Sequence, residues 1–317
     1  MKVDYISYFD SNFLPQGLVM IDSLFDKCEV NKLHIYALDE LAFDYLLISY
    51  SGNSRVEVLL YSDYLDSSWN NLKKTRSKTE FIWSMTPLFI FLTYKVMSAD
   101  FLVYVDSDMY FLESDRKILK RFEESGKDAF ITPHFYFGDY DYSKLSGKYC
   151  VQYLIFKTLS STDILDSWVI NCKNECTSSV RPGGKGDQRY LTFWEELFPN
   201  RIYIAENLGE FVAPWNVYRD GIQNCIVYHF QGFRIVGKGF YIYNQSFFVP
   251  GLIKKVLYIK YSRLVNDYYQ NLVRSGYLIS KGTIRVYRTL VLFQLRIWFV
   301  NIYKSLFKLL SLNIFKY

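Results

Sequence analysis

The sequence predicts an α/β fold: a mostly parallel sheet flanked by helices, ending in a helical C-terminal tail. Three observations carry this. Strand-like and helix-like segments alternate through the first hundred residues, which places helices on both faces of a parallel sheet. The run Phe101–Val105 is wholly apolar, as a strand covered on both faces must be. From about Leu252 the pattern turns helical and stays so to the end.

In order, Val3 to Tyr8 reads as a strand and Leu14 to Phe25 as a helix that tolerates Pro15 in its first turn. Lys32 to Ala37 and Val56 to Tyr61 are strands, Glu80 to Val96 is a long helix, and Phe101 to Val105 is the buried strand. Further strands are expected at Ala129 to Thr132, Tyr149 to Phe156, Arg201 to Ala205 and Cys225 to Phe230. Helices are expected at Thr162 to Glu175 and Asp187 to Phe198, separated by the loop Arg181-Pro-Gly-Gly-Lys-Gly186. The division drawn is a catalytic unit over 1–250 and a basic, aromatic-rich helical extension over 251–317.

The chain has 317 residues, of which 50% are hydrophobic and 19% aromatic, enough apolar material for one continuous core and too much for a disordered chain. The net charge is +5, yet no acidic residue follows Asp267, while Arg274, Lys281, Arg285, Arg288, Arg296, Lys304, Lys308 and Lys316 are basic. The body is therefore net negative, and nucleic acid is not an expected partner. Five cysteines in no paired spacing suggest neither a disulfide framework nor a four-ligand zinc site, and a reducing compartment fits them. Met1 to Asp4 leads straight into a strand, so no signal peptide is expected. The apolar stretches of the tail are interrupted by Arg288, Arg296 and Lys304, short of the ~18 residues a spanning helix needs.

In a doubly wound sheet, ligands bind beyond the carboxyl ends of the strands. The strand Phe101–Val105 ends there in Asp106-Ser107-Asp108. Two carboxylates so close are unfavourable unless a cation or a basic group neutralises them. A hard cation, Mn²⁺ or Mg²⁺, takes one or two carboxylates and fills its shell with phosphate oxygens and water. His229 ends another strand and is followed by Gly232, where backbone can approach a phosphate, and by Arg234, which can pair with its charge. His34 and His134 read as packed residues. Asp187 and Gln188 open a helix, where an acid is also an ordinary capping residue. Trp215 and Asn216 lie in the loop Glu210 to Asn216, an aromatic platform for a sugar ring or else a buried core tryptophan.

Several pieces in this order resemble the bacterial GT-A-fold (Rossmann-like) glycosyltransferases of the nucleotide-diphospho-sugar transferase superfamily, near glycosyltransferase family eight. They are Tyr8-Phe9-Asp10, Leu38-Asp-Glu40, Lys78-Thr-Glu80-Phe-Ile-Trp83, Asp106-Ser-Asp108, Gly147-Lys-Tyr149, Gly186-Asp-Gln188, Ala213-Pro-Trp-Asn216 and His229-Phe-Gln-Gly232, over about residues 1–245. The resemblance implies Asp106, Asp108 and His229 as metal ligands, and Tyr8, Phe9 and Asp10 against the nucleotide base. It implies Glu80 and Ser107 on the donor side, Asp187 and Gln188 beside the sugar, and Tyr149, Trp215 and Asn216 toward the acceptor. Cys150 stands where the family pattern has Asn after the Gly-x-Tyr, and the later Gly-x-x-Lys-Pro-Trp is missing.

The implied activity is transfer of a sugar from a nucleotide sugar, a UDP-sugar, to a saccharide or lipid-linked saccharide acceptor in surface polysaccharide or lipopolysaccharide synthesis. If stereochemistry is inverted, Asp187 serves as general base; if it is retained, the departing phosphate oxygen takes the proton and Asp187 positions the donor. The expected location is cytoplasmic, with peripheral contact to the inner membrane face through the tail, whose basic residues interleave with aromatics. Two rival readings remain. One is a haloacid-dehalogenase-type phosphatase, whose Asp-x-Asp normally lies near the N-terminus. The other is a non-catalytic, membrane-peripheral carbohydrate-binding protein.

Overall fold

The computed structural model describes residues 1–138, 141–178, 185–237, 240–242, 247 and 249–278. Twelve strands are described: β1 (Val3–Phe9), β2 (Lys32–Ala37), β3 (Val56–Leu60), β4 (Phe101–Val105), β5 (Met109–Phe111), β6 (Ala129–Pro133), β7 (Tyr149–Lys157), β8 (Ile202–Ile204), β9 (Phe211–Val212), β10 (Val227–His229), β11 (Arg234–Gly237) and β12 (Phe240–Ile242). The main sheet has seven strands in the order β3-β2-β1-β4-β7-β6-β8. Its pairings are parallel except for β7, which runs antiparallel to both neighbours.

The chain winds outward from β1 to β3, then returns to set β4 on the other side of β1. That reversal is a topological switch point, and the loops after β1 and β4 therefore open onto one crevice. Ile6 of β1 lies in register with Tyr104 of β4, which brings the ends of both strands, Tyr8 to Asp10 and Asp106 to Asp108, to the same edge. A second sheet, β5-β10-β9, continues from the β4 turn.

Helices α1 (Leu14–Lys27), α2 (Glu40–Tyr50), α3 (Ser67–Thr75), α4 (Lys78–Val96) and α5 (Arg116–Ser125) flank the sheet. Asp39 caps α2 through the Ala42 N–H, and Asp66 caps α3 through the Trp69 N–H. Ser77 and Glu80 form a reciprocal capping box at the start of α4. Helix α4 is buried along most of its length and tolerates Pro87 inside it. One core cluster joins α1 to β1, β2 and β4; another joins α4 and the helix Thr162–Asn174 to the opposite face of the sheet.

The expected helix over Asp187 to Phe198 is instead three short pieces, Asp187–Tyr190, a 3₁₀ turn Leu191–Phe193, and Trp194–Leu197. In 3₁₀ geometry residues three apart eclipse, and Leu191 and Trp194 both enter the core. The expected strand Cys225 to Phe230 shortens to Val227–His229, because its partners β5 and β9 are themselves only three and two residues long. All five cysteines are buried and free. His34 is a packed residue, held between Asp4 and Glu57 across β1, β2 and β3.

The C-terminal part begins as expected. Residues 251–274 are helical, and the helix Ile259–Arg274 buries Tyr261, Val265 and Tyr269 in a cluster with Tyr110, Tyr228 and Phe230 while also packing on α1. The expectations placed on 279–317, and on 181–184 of the glycine-rich loop, lie outside the described residues. Among the described residues no helix is long and apolar enough to cross a membrane.

Candidate active site

A cavity of about 870 Å³ lies at the switch point. After Val105 the chain turns tightly, with the Met109 N–H donating to the Asp106 carbonyl, and enters β5. Strand β10 pairs antiparallel with β5 so that His229 stands opposite Met109, and the Phe230 N–H donates to the Asp108 carbonyl. This register delivers His229 to the two acids. Its Nε2 is 3.1 Å from Asp108 Oδ1 and 3.8 Å from Asp106 Oδ2.

Ligand atoms of Asp106, Asp108 and His229 all lie within 4.8 Å of one another. Small side-chain rotations close that spread to the ~2.1 Å metal–oxygen distance of a hard cation. Two carboxylates and one imidazole also suit Mn²⁺ or Mg²⁺ by donor type. The set is oriented from behind. Gln152 Oε1 is 2.8 Å from His229 Nδ1, and Tyr104 donates to Asp106 Oδ1 at 2.6 Å. Burial and the neighbouring Asp108 charge raise the Asp106 carboxyl above its usual range against the pull of His229. At Asp108 burial pushes the same way, but His229 outweighs it and holds the carboxyl below that range. The His229 imidazole is in turn pushed well above its ordinary value, because the adjacent Asp108 outweighs burial. The residues thus fit a divalent cation, which would take over this compensation of charge.

On the next wall Asp187 is buried at the start of its short helix. It accepts from Thr86 Oγ1 at 2.9 Å and from the Gln188 N–H at 2.9 Å, and Thr86 Oγ1 is in turn 2.6 Å from the Tyr8 hydroxyl. Burial pushes its carboxyl up to about 7, with Thr86 and the Gln188 amide pulling the other way. Gln188 Nε2 donates to the Ser146 carbonyl at 2.8 Å. Asp10 meets Lys78 at 2.8 Å.

Ten of the residues singled out in the sequence line this cavity: Tyr8, Phe9, Asp10, Asp106, Ser107, Asp108, Asp187, Gln188, Trp215 and His229. Five others do not line it, although the charge of Arg234 adds to that of His229 in lowering the Asp108 carboxyl. Glu80 sits in the capping box and accepts from the Ser178 N–H. Gly232 occupies a tight turn at φ 81°, closed by the Phe233 N–H to the Phe230 carbonyl. Arg234 is exposed, its guanidinium 5.1 Å from the centre of the Phe13 ring at the cavity edge. Tyr149 is buried and bonds Glu195. Asn216 closes its own loop through the Ala213 N–H and the Phe211 carbonyl.

The structure adds residues to which sequence reasoning gave no site role; His134, read as packed, is indeed buried. His134 lines the cavity, stacked on Tyr136 with ring centres 4.5 Å apart. Trp215 crosses His134, Tyr136 and Phe247 edge to face, and stands 5.5 Å from the His229 ring. Its indole Nε1 donates to the His134 carbonyl at 2.6 Å. The signal for His134 was present, since it directly follows a strand whose carboxyl end lies at the same sheet edge as that of β4. Cys150 lines the cavity too. Burial would raise its thiol, but His134 and His229 bring it down to about 7.

No family model matches the chain. It is 30% identical over 187 residues to the uncharacterized protein YfnF of Bacillus subtilis (strain 168), a match covering 52% of this chain and 60% of that protein. It is 25% identical over 236 residues to the uncharacterized protein YfnD of the same organism, covering 68% and 73%. The match to YfnF thus spans less than two thirds of that relative's length. Among solved structures, the apo-form glycosyltransferase GlyE of Streptococcus pneumoniae TIGR4 is similar at a TM-score of 0.50 and 10% identity, over 89% of this chain and 66% of that one. The mostly parallel seven-stranded sheet flanked by helices is that of GT-A folds.

Proposed function

We propose that this chain is a metal-assisted glycosyltransferase that moves a sugar from a nucleotide-diphosphate sugar, a UDP-sugar, to a saccharide acceptor in surface polysaccharide or lipopolysaccharide synthesis. The observation that carries the reading is the convergence of Asp106, Asp108 and His229 within 4.8 Å at the floor of a cavity at the switch point of the sheet. Residues 1–250 are read as the catalytic unit and 251–317 as its extension.

Asp106, Asp108 and His229 would hold Mn²⁺ or Mg²⁺, which as a Lewis acid stabilises the charge that develops on a diphosphate leaving group. Gln152 and Tyr104 keep these ligands aimed. Tyr8, Phe9 and Asp10 form the wall for the base and ribose. Asp187, both of whose oxygens already accept a hydrogen bond, is arranged to hold a donor-sugar hydroxyl. Trp215, 5% exposed, lines the cavity together with His134 and Tyr136, and this aromatic wall is the surface against which an acceptor ring would rest.

The location proposed is the inner face of the cytoplasmic membrane. Leu252, Val256 and Ile259 are 70%, 52% and 36% exposed on the helical segment that also exposes Lys255, Lys260 and Arg263. Apolar side chains beside basic ones suit an anionic bilayer surface.

The test is a thermal-shift panel of nucleoside diphosphates and nucleotide sugars, with and without Mn²⁺. A ligand at ~100 times its dissociation constant stabilises by about 2.7 kcal/mol, and stabilisation that needs Mn²⁺ is expected for one nucleotide. If no nucleoside diphosphate shifts the transition in Mn²⁺, the donor assignment fails.

A further inference from the structure

Beside the main cavity lies a second cleft of about 370 Å³. Lys144, Lys148 and Arg189 bring three cationic side chains to it, and Ser143 and Thr192 two hydroxyls. The segment Ser143–Lys148 is the ridge between the two spaces. Leu145 and Ser146 border the main cavity, Lys144 and Lys148 border the cleft, and Arg189 borders both.

The ridge is fixed in place by the same turn that carries Asp187. Gln188 Nε2 donates to the Ser146 carbonyl at 2.8 Å. Gly147, at φ +90°, lets the ridge rest directly on the turn: a Cβ there would stand 3.3 Å from Arg189 Cα and 3.4 Å from Thr192 Oγ1. Two described acids stand beside the cleft, one paired with Lys148 and one within electrostatic reach of Lys144. Glu195 accepts from Tyr149 and meets Lys148 at 3.3 Å, and Asp141 accepts from the Ser143 N–H at 2.9 Å. Three cations against these two acids leave the described cleft one net positive charge, which with the Ser143 and Thr192 hydroxyls is chemistry that takes phosphate oxygens.

We propose that this cleft is a phosphate subsite, and that the acceptor carries a phosphate group close to the sugar that enters the main cavity. The proposal rests on the glycosyl-transfer reading, because Arg189 and the ridge connect the cleft to the space in which transfer would occur. A phosphate seated between Lys144 and Arg189 would align the acceptor across the ridge toward Trp215 and Asp187. Substrates of this class are phosphate-bearing saccharides, and a neutral oligosaccharide would use only half of the surface.

The test follows backbone amide signals of the full chain during titration with inorganic phosphate and, separately, glycerol 3-phosphate, in metal-free buffer. Saturable shifts are expected in residues 143–148 and 189–192. Lys144→Glu is expected to weaken binding about tenfold, the effect of losing one charge-assisted contact, while Lys144→Arg retains it. Nucleoside diphosphate binding in Mn²⁺ should be the same in both variants and the unaltered chain. Shifts confined to the surroundings of Asp106 and His229, or equal phosphate binding by Lys144→Glu, overturn the subsite. Perturbation of these residues by phosphatidylglycerol vesicles, with none by the soluble phosphates, overturns it in favour of a membrane contact. Phosphate binding at the cleft without any nucleotide binding sinks the donor reading instead and leaves the subsite standing.

Discussion

Gln152 Oε1 stands 2.8 Å from His229 Nδ1, a contact that crosses from the main sheet to the second one. An amide oxygen can only accept, so the contact places a proton on Nδ1 and aims Nε2 at Asp108. Loss of such an orienting partner typically costs 10–100-fold in metal affinity. Gln152→Leu, which keeps the buried volume, is therefore expected to weaken Mn²⁺ binding by at least about tenfold. Calorimetric titration of Mn²⁺ into the variant in the presence of nucleoside diphosphate measures this. Unchanged affinity would mean that His229 is not a ligand.

In the proposed reading Asp108 serves the cation and not the core, since its side chain lines the cavity against His229 and its backbone makes the turn. Asp108→Ala should lower sugar transfer by at least ~10²-fold, the scale of losing one electrostatic stabiliser, and shift the unfolding temperature by no more than a few degrees. Product chromatography and a melting curve decide it. Full turnover in the variant, or in excess chelator, removes the metal from the mechanism.

The acids were legible because they obey a rule about position: a wholly apolar strand can only be buried, and the residues just beyond its carboxyl end face the crevice. Neither Tyr149 nor Asn216 is governed by such a rule. Both were assigned to the acceptor; in the structure Tyr149, the first residue of β7, bonds Glu195 of the helix Trp194–Leu197, and Asn216 closes its own loop through Ala213 and Phe211. Side-chain direction there depends on the pairing of β7 with β6, which no local pattern reveals. The aromatic wall of His134, Tyr136 and Trp215 was hidden similarly, its members coming from loops some eighty residues apart. The amphipathic helix α5 and the short strand β5 also went unread, β5 because three residues are too few for a period-2 signal.

Asp187 links stability to pH. Burial raises its carboxyl to about 7 in the folded chain, against about 3.9 in an unfolded one. Between those values the folded state holds a proton that the unfolded state has lost, so stability falls as pH rises from about 4 to about 7 and is flat above. At 1.36 kcal/mol per unit the penalty approaches about 4 kcal/mol above pH 7. Asp187→Asn removes it. In metal-free protein the variant should melt higher than the unaltered chain at pH 8 and equally at pH 4. A gap that does not change with pH would refute the assignment.

Asp115, just ahead of α5, is buried, and its carboxylate accepts from Tyr5 at 2.9 Å and Tyr153 at 2.7 Å. These bonds tie β1 and β7 to α5 beneath the sheet, away from the cavity. Tyr153→Phe leaves a buried acid one donor short, a loss of about 1.5–3 kcal/mol for a bond to a charged group. Urea unfolding should show a lower midpoint with the same slope, while nucleotide binding is retained. A change below about 0.5 kcal/mol would mean that water replaces the lost donor.

Membrane contact is the prediction with the clearest salt dependence. Leu252, Val256 and Ile259 recur at helical spacing on the exposed side of a segment whose other side is locked into the core by Leu257, Tyr258 and Tyr261, so this side is oriented by packing. Basic residues near an anionic bilayer contribute about 1 kcal/mol each, and the attraction fades within a Debye length. Full-length chain should therefore float with phosphatidylglycerol vesicles in low salt and be released in high salt. Reversing Lys255, Lys260 and Arg263 to Glu should weaken flotation by at least ~100-fold, as the loss of three such contacts implies. A chain ending at Ser280 separates this face from the tail beyond it. If the truncated chain floats and the triple variant does not, the described helix is the anchor; if the truncated chain is released, the tail is. Should full-length protein stay in solution with these vesicles at low salt, the membrane assignment fails, and the exposed apolar side chains carry no bilayer contact.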